Sequence, residues 1–84
     1  MSNIDNDKLT DERREIISGS LRAHRARVRE TQKEAAEAVG VNQTTLCAWE
    51  NRGGASDVSL WALADHYGVS LDVLLGRPWP PREG

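Results

Sequence analysis

Apolar positions recur at helical spacing in five separated stretches, and residues that start or stop helices bracket each stretch. In the first, Ile17, Leu21 and Val28 form a seam on one helical face, with Ile16 and Ala23 beside it. Thr10 suits an N-cap, and Asp11 and Glu12 suit the positive end of a helix, so a long first helix is predicted from Thr10 to about Arg29. Thr31-x-x-Glu34 reads as a capping box opening a second helix. Ala35, Ala36 and Val39 give that helix a small-residue face, and Gly40 is expected to end it in a left-handed C-cap. Asn42 then caps a third helix over residues 43–51, with Leu46 and Trp49 on its inner side and Gln43, Thr44, Cys47 and Ala48 left outward. Asn51-Arg52-Gly53-Gly54-Ala55 is a loop by composition. Ser56 caps a fourth helix carrying Leu60, Leu63, Ala64 and Tyr67 and ending at Gly68. Ser70 caps a fifth, Leu71 to Leu75, closed by Gly76.

The flanks differ from this core. Residues 1–9 are polar and acidic and read as a flexible tail. Arg77-Pro78-Trp79-Pro80-Pro81 cannot be helical, so residues 77–84 read as an extended Pro/Trp tail. No strand alternation and no internal repeat is present. The expected architecture is therefore all-α: one compact five-helix domain over residues 10–76.

Length and composition narrow the function. With 84 residues the chain is one small domain, with no room for a deep cleft between two lobes. The single cysteine, Cys47, has no disulfide partner, and neither His24 nor His66 stands at a metal-ligand spacing from it, so no metal site and no cofactor is expected. No apolar run approaches the length of a membrane span, and the N-terminus lacks the basic and apolar segments of a secretory leader. A cytoplasmic location is the expectation. No nucleophile, base and orienting group stand at a known catalytic spacing, and Gly53-Gly54 is a loop rather than a phosphate cradle, so no enzymatic site is expected.

The net charge of −2 argues against nucleic acid only if charge is evenly spread. Between residues 13 and 33 stand seven basic side chains, Arg13, Arg14, Arg22, Arg25, Arg27, Arg29 and Lys33, against the two acids Glu15 and Glu30. A DNA surface requires a basic face rather than a basic protein.

Two short helices joined by a tight glycine turn define a helix-turn-helix, whose second helix enters the major groove. The run from Thr31 to Gly53, TQKEAAEAVGVNQTTLCAWENRG, resembles the lambda-repressor-like, or XRE-type, helix-turn-helix family, and Leu63 to Leu75 looks like that family's fourth and fifth helices. The resemblance covers roughly residues 17–76. It implies that Gln43, Thr44, Cys47 and Ala48 face base edges. It implies phosphate-binding positions at Thr31, Gln32, Lys33, Asn42, Thr45, Asn51 and Arg52, and an inward ion pair between Arg25 and Glu50. The chemistry agrees where it can be judged: a glutamine amide matches adenine's major-groove edge, and helix N-termini suit phosphates. The chain departs from the pattern at Glu30, which sets an acid near a phosphate position, and at Ala55 and Asp57.

The implied activity is sequence-specific binding of double-stranded operator DNA by a prokaryotic or phage regulator, a repressor acting as a homodimer. One short helix reads few bases, which is the reason to expect a dimer. The fifth helix and the Pro/Trp tail are its expected contact. Trp61 at the rim of the fourth helix, and Trp79, are candidate partner contacts. An antitoxin-type module that binds a toxin and regulates its own operon stays open as the alternative.

Overall fold

A computed structural model describes residues 3–77, with side chains from Thr10 onward, and contains five helices. They are α1 (Asn3–Arg27), α2 (Gln32–Val39), α3 (Gln43–Arg52), α4 (Asp57–Tyr67) and α5 (Leu71–Leu74). The described residues include no strand.

Four helix starts follow from local side-chain chemistry. Thr31, Asn42, Ser56 and Ser70 all have extended backbone, and each side-chain oxygen accepts from the N–H three residues on. At Thr31 the box is complete: Glu34 N donates to Thr31 Oγ1 at 3.1 Å, and Thr31 N donates to Glu34 Oε1 at 2.9 Å. Gly40 closes α2 with φ +77°, and the N–H of Val41 returns to the Ala36 carbonyl at 3.0 Å. This left-handed stop turns the chain within three residues into Asn42 and sets the α2–α3 crossing.

The first helix departs from the sequence expectation at both ends. Helix α1 starts at Asn3, so Thr10 lies inside it and the expected boundary after residue 9 is not a helix start. No Gly or Pro interrupts residues 3–10, and a helix nucleated on the packed segment propagates through such residues more readily than it restarts at a cap. At the other end α1 stops at Arg27, two residues short of Arg29. Arg29 takes the left-handed position (φ 59°), and Glu30 N reaches back to the Arg25 carbonyl at 3.2 Å. This is a C-terminal stop built without the customary glycine. Helix α3 runs one residue past Asn51, and α5 ends at Leu74 with Leu75 as its cap. Trp79 and its flanking prolines lie outside the described residues.

The core is Leu21 of α1, Ala35 and Ala36 of α2, Leu46 of α3, Leu60, Leu63, Ala64 and Tyr67 of α4, and Leu74 of α5. Ile17, Val39, Val41, Trp49 and Leu75 pack partly buried around it. The two alanines let α2 lie close against both α3 and α4. The α1 seam holds at Ile17 and Leu21 but departs from the expected one elsewhere: Val28, Ile16 and Ala23 are exposed, and Ser18, at 2% exposure, takes an inward position. The reason is what α1 faces, the last turns of α3, whose carbonyl oxygens have a lone pair free for a further donor and gain nothing from a methyl group. Ser18 Oγ donates to the Trp49 carbonyl at 3.0 Å, and Arg22 Nη1 donates to the Glu50 carbonyl.

Gly53 completes that junction. Its backbone (φ +72°, ψ −152°) is open essentially to glycine alone, and a Cβ there would stand 3.0 Å from Arg14 Cβ and 3.1 Å from the Arg14 carbonyl oxygen. The end of α3 is therefore held against the backbone of α1.

Candidate nucleic-acid interface

Helix α3 presents two faces of different chemistry. Inward, Leu46 and the Glu50 side chain are buried. Outward, Gln43 and Thr44 are exposed, and Cys47 and Ala48 are half-buried one turn on. With Gln32, Asn51 and Arg52 these four line one shallow groove. Asn51 Nδ2 donates to Cys47 Sγ at 3.2 Å, tying the two polar groups together along the helix.

The remaining expected phosphate positions lie at helix starts rather than in the groove. Thr31 and Lys33 are exposed at the start of α2, Asn42 is exposed at the cap of α3, and Thr45 is half-buried in its first turn. Asn42 Oδ1 accepts from Thr45 N at 2.8 Å, so this acceptor is committed to the cap. The Thr31 hydroxyl accepts from Glu34 N and keeps its own proton for another acceptor. The Glu34 carboxylate occupies the Thr31 N–H, and the hydrogen bonds it accepts hold its pKa below the usual carboxylate value. The first-turn amides of Gln32 and Lys33 have no intrahelical partner by position, which suits an anion.

Behind the groove, Glu50 is 0% exposed and gathers three donors. Arg25 reaches it with two: Nε donates to Oε2 at 2.7 Å and Nη2 to Oε1 at 3.0 Å, the fork geometry that suits guanidinium and carboxylate. Gln32 Nε2 donates to the same Oε1 at 3.1 Å. The hydrogen bonds that Arg25 donates to Glu50 raise the Arg25 pKa above its ordinary value. Arg25 Nη1 also donates to the Glu30 carbonyl at 2.9 Å. One side chain of α1 therefore holds both the last turn of α3 and the connection into α2. A buried pair of this kind fixes an arrangement more dependably than it adds stability.

Three features of the site carried no signal in the sequence. Gln32 points partly inward to Glu50, a contact beyond the phosphate position that the resemblance implies for it. His66 of α4 meets Glu30 through both carboxylate oxygens, at 2.7 and 2.9 Å, across 36 residues of chain that no spacing rule connects. Asp11, Glu12 and Glu15 of α1 share a concavity with Asn51 and Arg52, so acids distant in sequence border the end of the groove.

Two short helices crossing over a glycine turn, the second with a polar outer face and a pinned inner one, define a helix-turn-helix domain. A family model described as helix-turn-helix matches residues 22–74, and the chain belongs to that family, of the XRE or lambda-repressor-like kind. No curated protein and no solved structure matches it. The family is one of DNA-binding transcription regulators, and that general activity is the chain's. No helix among the described residues is long and apolar enough to cross a membrane.

Proposed function

We propose that the chain is a sequence-specific repressor that inserts α3 into the major groove of operator DNA, inside a bacterial or phage-infected cell. The observation that carries this reading is the groove itself: the polar residues Gln32, Gln43, Thr44, Asn51 and Arg52 line one solvent-facing concavity along α3. Gln43 and Thr44 read base edges, with Cys47 and Ala48 offering small contacts beside them. Thr31, Gln32, Lys33, Asn42, Thr45, Asn51 and Arg52 engage the phosphates on either side. A homodimer doubles the bases read. Leu71 and Val73 of α5, 38% and 37% exposed, offer it an apolar contact.

Selection of fragments from a random duplex pool tests the reading. The expected product is a near-palindromic consensus whose half-sites are about 34 Å apart. Gln43→Ala should relax one position of each half-site, by about 1–3 kcal/mol of discrimination. Recovery of no consensus, or of an unchanged one by Gln43→Ala, would remove the base-reading assignment.

A second reading draws on α4, where Val58 and Trp61 are 78% and 64% exposed one turn apart. An antitoxin-type module uses such an apolar surface to hold a partner protein. Co-purification of a toxin with the chain, lost in Trp61→Ser, would favour it.

A further inference from the structure

We infer that His66 is a positioning residue for DNA binding: its charged imidazole covers the Glu30 carboxylate beside the start of α2, so the protein holds phosphate more tightly when His66 is protonated. The inference rests on the DNA-binding reading and adds to it a residue outside the proposed contact surface.

Glu30 immediately precedes Thr31, the cap of α2, so its charge is carried next to the helix start proposed to receive a phosphate. Left bare, it repels the anion that α2 is to receive, and Glu34 already places one carboxylate there. His66 Nε2 stands 2.7 and 2.9 Å from the two Glu30 oxygens, and the pair is only 24% exposed on each side. An ionised carboxylate only accepts hydrogen bonds, so Nε2 carries a proton in this geometry. The proton an imidazolium gives up is then the one on Nδ1. Its loss keeps the Nε2 hydrogen bond and the packing, and removes the positive charge alone. The result is a change of charge beside the DNA surface without a change of shape.

Among the surrounding groups, Arg25 feels the Glu30 charge at all pH values but forms no ion pair with its carboxylate, which leaves the direct contact to His66. On α1, Arg25 spends Nη1 on the Glu30 carbonyl and its other donors on Glu50, and Arg27 Nη2 donates to the Tyr67 carbonyl at 2.9 Å. His24 Nδ1 is bound to the Ser20 carbonyl at 2.8 Å. On α4, Tyr67 packs its ring on His66 at 5.1 Å, and Asp65 is exposed. Helix α2 turns Ala35 and Ala36 inward and leaves Lys33, Glu34 and Glu37 exposed. His66 thus supplies the one side-chain ion-pair partner recorded for the Glu30 carboxylate among the described residues.

Imidazole side chains change charge between about pH 5 and pH 8, a range in which DNA phosphates do not titrate. The test is fluorescence anisotropy of a labelled random-sequence duplex, at fixed ionic strength, across that range. Wild-type affinity is expected to fall roughly three- to tenfold from the acid to the alkaline end. Glu30→Gln, which keeps an acceptor for Nε2 and removes the repelling charge, should bind more tightly than wild type across the range. His66→Lys should hold the acid-end affinity at the alkaline end, and His66→Gln should bind weakly at both. His24→Gln should keep the wild-type profile. A Glu30→Gln variant that binds no more tightly than wild type, or His66→Lys behaving as His66→Gln, overturns the inference while DNA binding stands. Wild-type protein that binds no duplex at any pH overturns the DNA-binding reading and this inference with it. Circular dichroism checks that each variant is folded, and if His66→Gln is not, the Glu30→Gln profile decides.

Discussion

Gln32 and Glu50 are hydrogen-bonded, amide Nε2 to carboxylate Oε1 at 3.1 Å, and that oxygen also accepts from Arg25 Nη2 at 3.0 Å. The first residue of α2 and the last turns of α3 are thereby joined through one buried atom. The bond also fixes which way the Gln32 amide lies: Nε2 turns in, and the carbonyl oxygen and second N–H remain for the rim. The orientation of the outer face of α3 thus depends on a buried group that this face does not expose.

Glu50→Gln removes the charge from that junction while keeping its shape. Breaking one side of a buried pair typically costs about 3–5 kcal/mol. Here the Arg25 side chain keeps 22% exposure and some access to water, so about 2–4 kcal/mol is expected. Denaturant unfolding reads the loss directly. Fragment selection by the surviving folded fraction should give a blurred consensus. An unchanged midpoint would mean that Glu50 does not hold α3.

Gly53→Ala probes the other anchor of α3. The substitution places a Cβ 3.0 Å from Arg14 Cβ in a backbone region that strongly disfavours any L side chain. Since the main contact is with a packed helix, relief requires α1 and α3 to separate. A destabilisation of about 2–4 kcal/mol is expected, read as a lower denaturant midpoint. The same change at Gly54, whose Cβ would meet nothing within 4 Å, should be milder, because only its φ of +89° is strained.

Arg52→Ala separates phosphate contact from base reading. Arg52 is exposed at the groove's end, beside Asp11, Glu12 and Glu15. Its loss should weaken binding to all sequences alike and lower the slope of log affinity against log salt by about one unit. Lys33→Ala should do the same from the start of α2. If either variant shifts sequence preference with no change in slope, that side chain contacts bases.

How much of this could be read from the sequence depends on the range of each interaction. Thr31, Asn42, Ser56 and Ser70 cap their helices through bonds to residues three positions on, so a four-residue window holds the whole interaction. Gly40 and Gly68 stop theirs by backbone conformation alone, φ +77° and +70°. Thr10 shows the limit of such local evidence: a good capping side chain does not end a helix that the residues before it can continue. Ser18 was unreadable for a different reason. An apolar seam is the default for a buried helix face, and only the position of the Trp49 carbonyl makes a serine the better residue there. The Glu30–His66 pair lies beyond any sequence window, since the fold alone brings residues 36 apart into contact.

Tyr67 ties stability to alkaline pH. The residue is 4% exposed, and its hydroxyl has no hydrogen-bond partner among the described residues. Burial, followed by the nearby charges of Glu50 and Glu30, pushes the phenol up to about 12. An unfolded tyrosine releases its proton near pH 10. Between about pH 10 and 12 the unfolded chain therefore binds fewer protons than the folded one, and stability falls as pH rises, by about 2–3 kcal/mol at the upper end. The chain contains one tyrosine, so tyrosinate absorbance reports on this group alone. It should develop together with loss of helical circular dichroism rather than before it. Tyr67→Phe keeps the ring against His24 and His66 and removes the unpaired hydroxyl. The variant should be about 1 kcal/mol more stable near neutral pH and lack the part of the alkaline decline that belongs to the phenol. Phenolate forming near pH 10 in protein that keeps its full helical signal would show that the hydroxyl reaches water, contrary to the packing around α4.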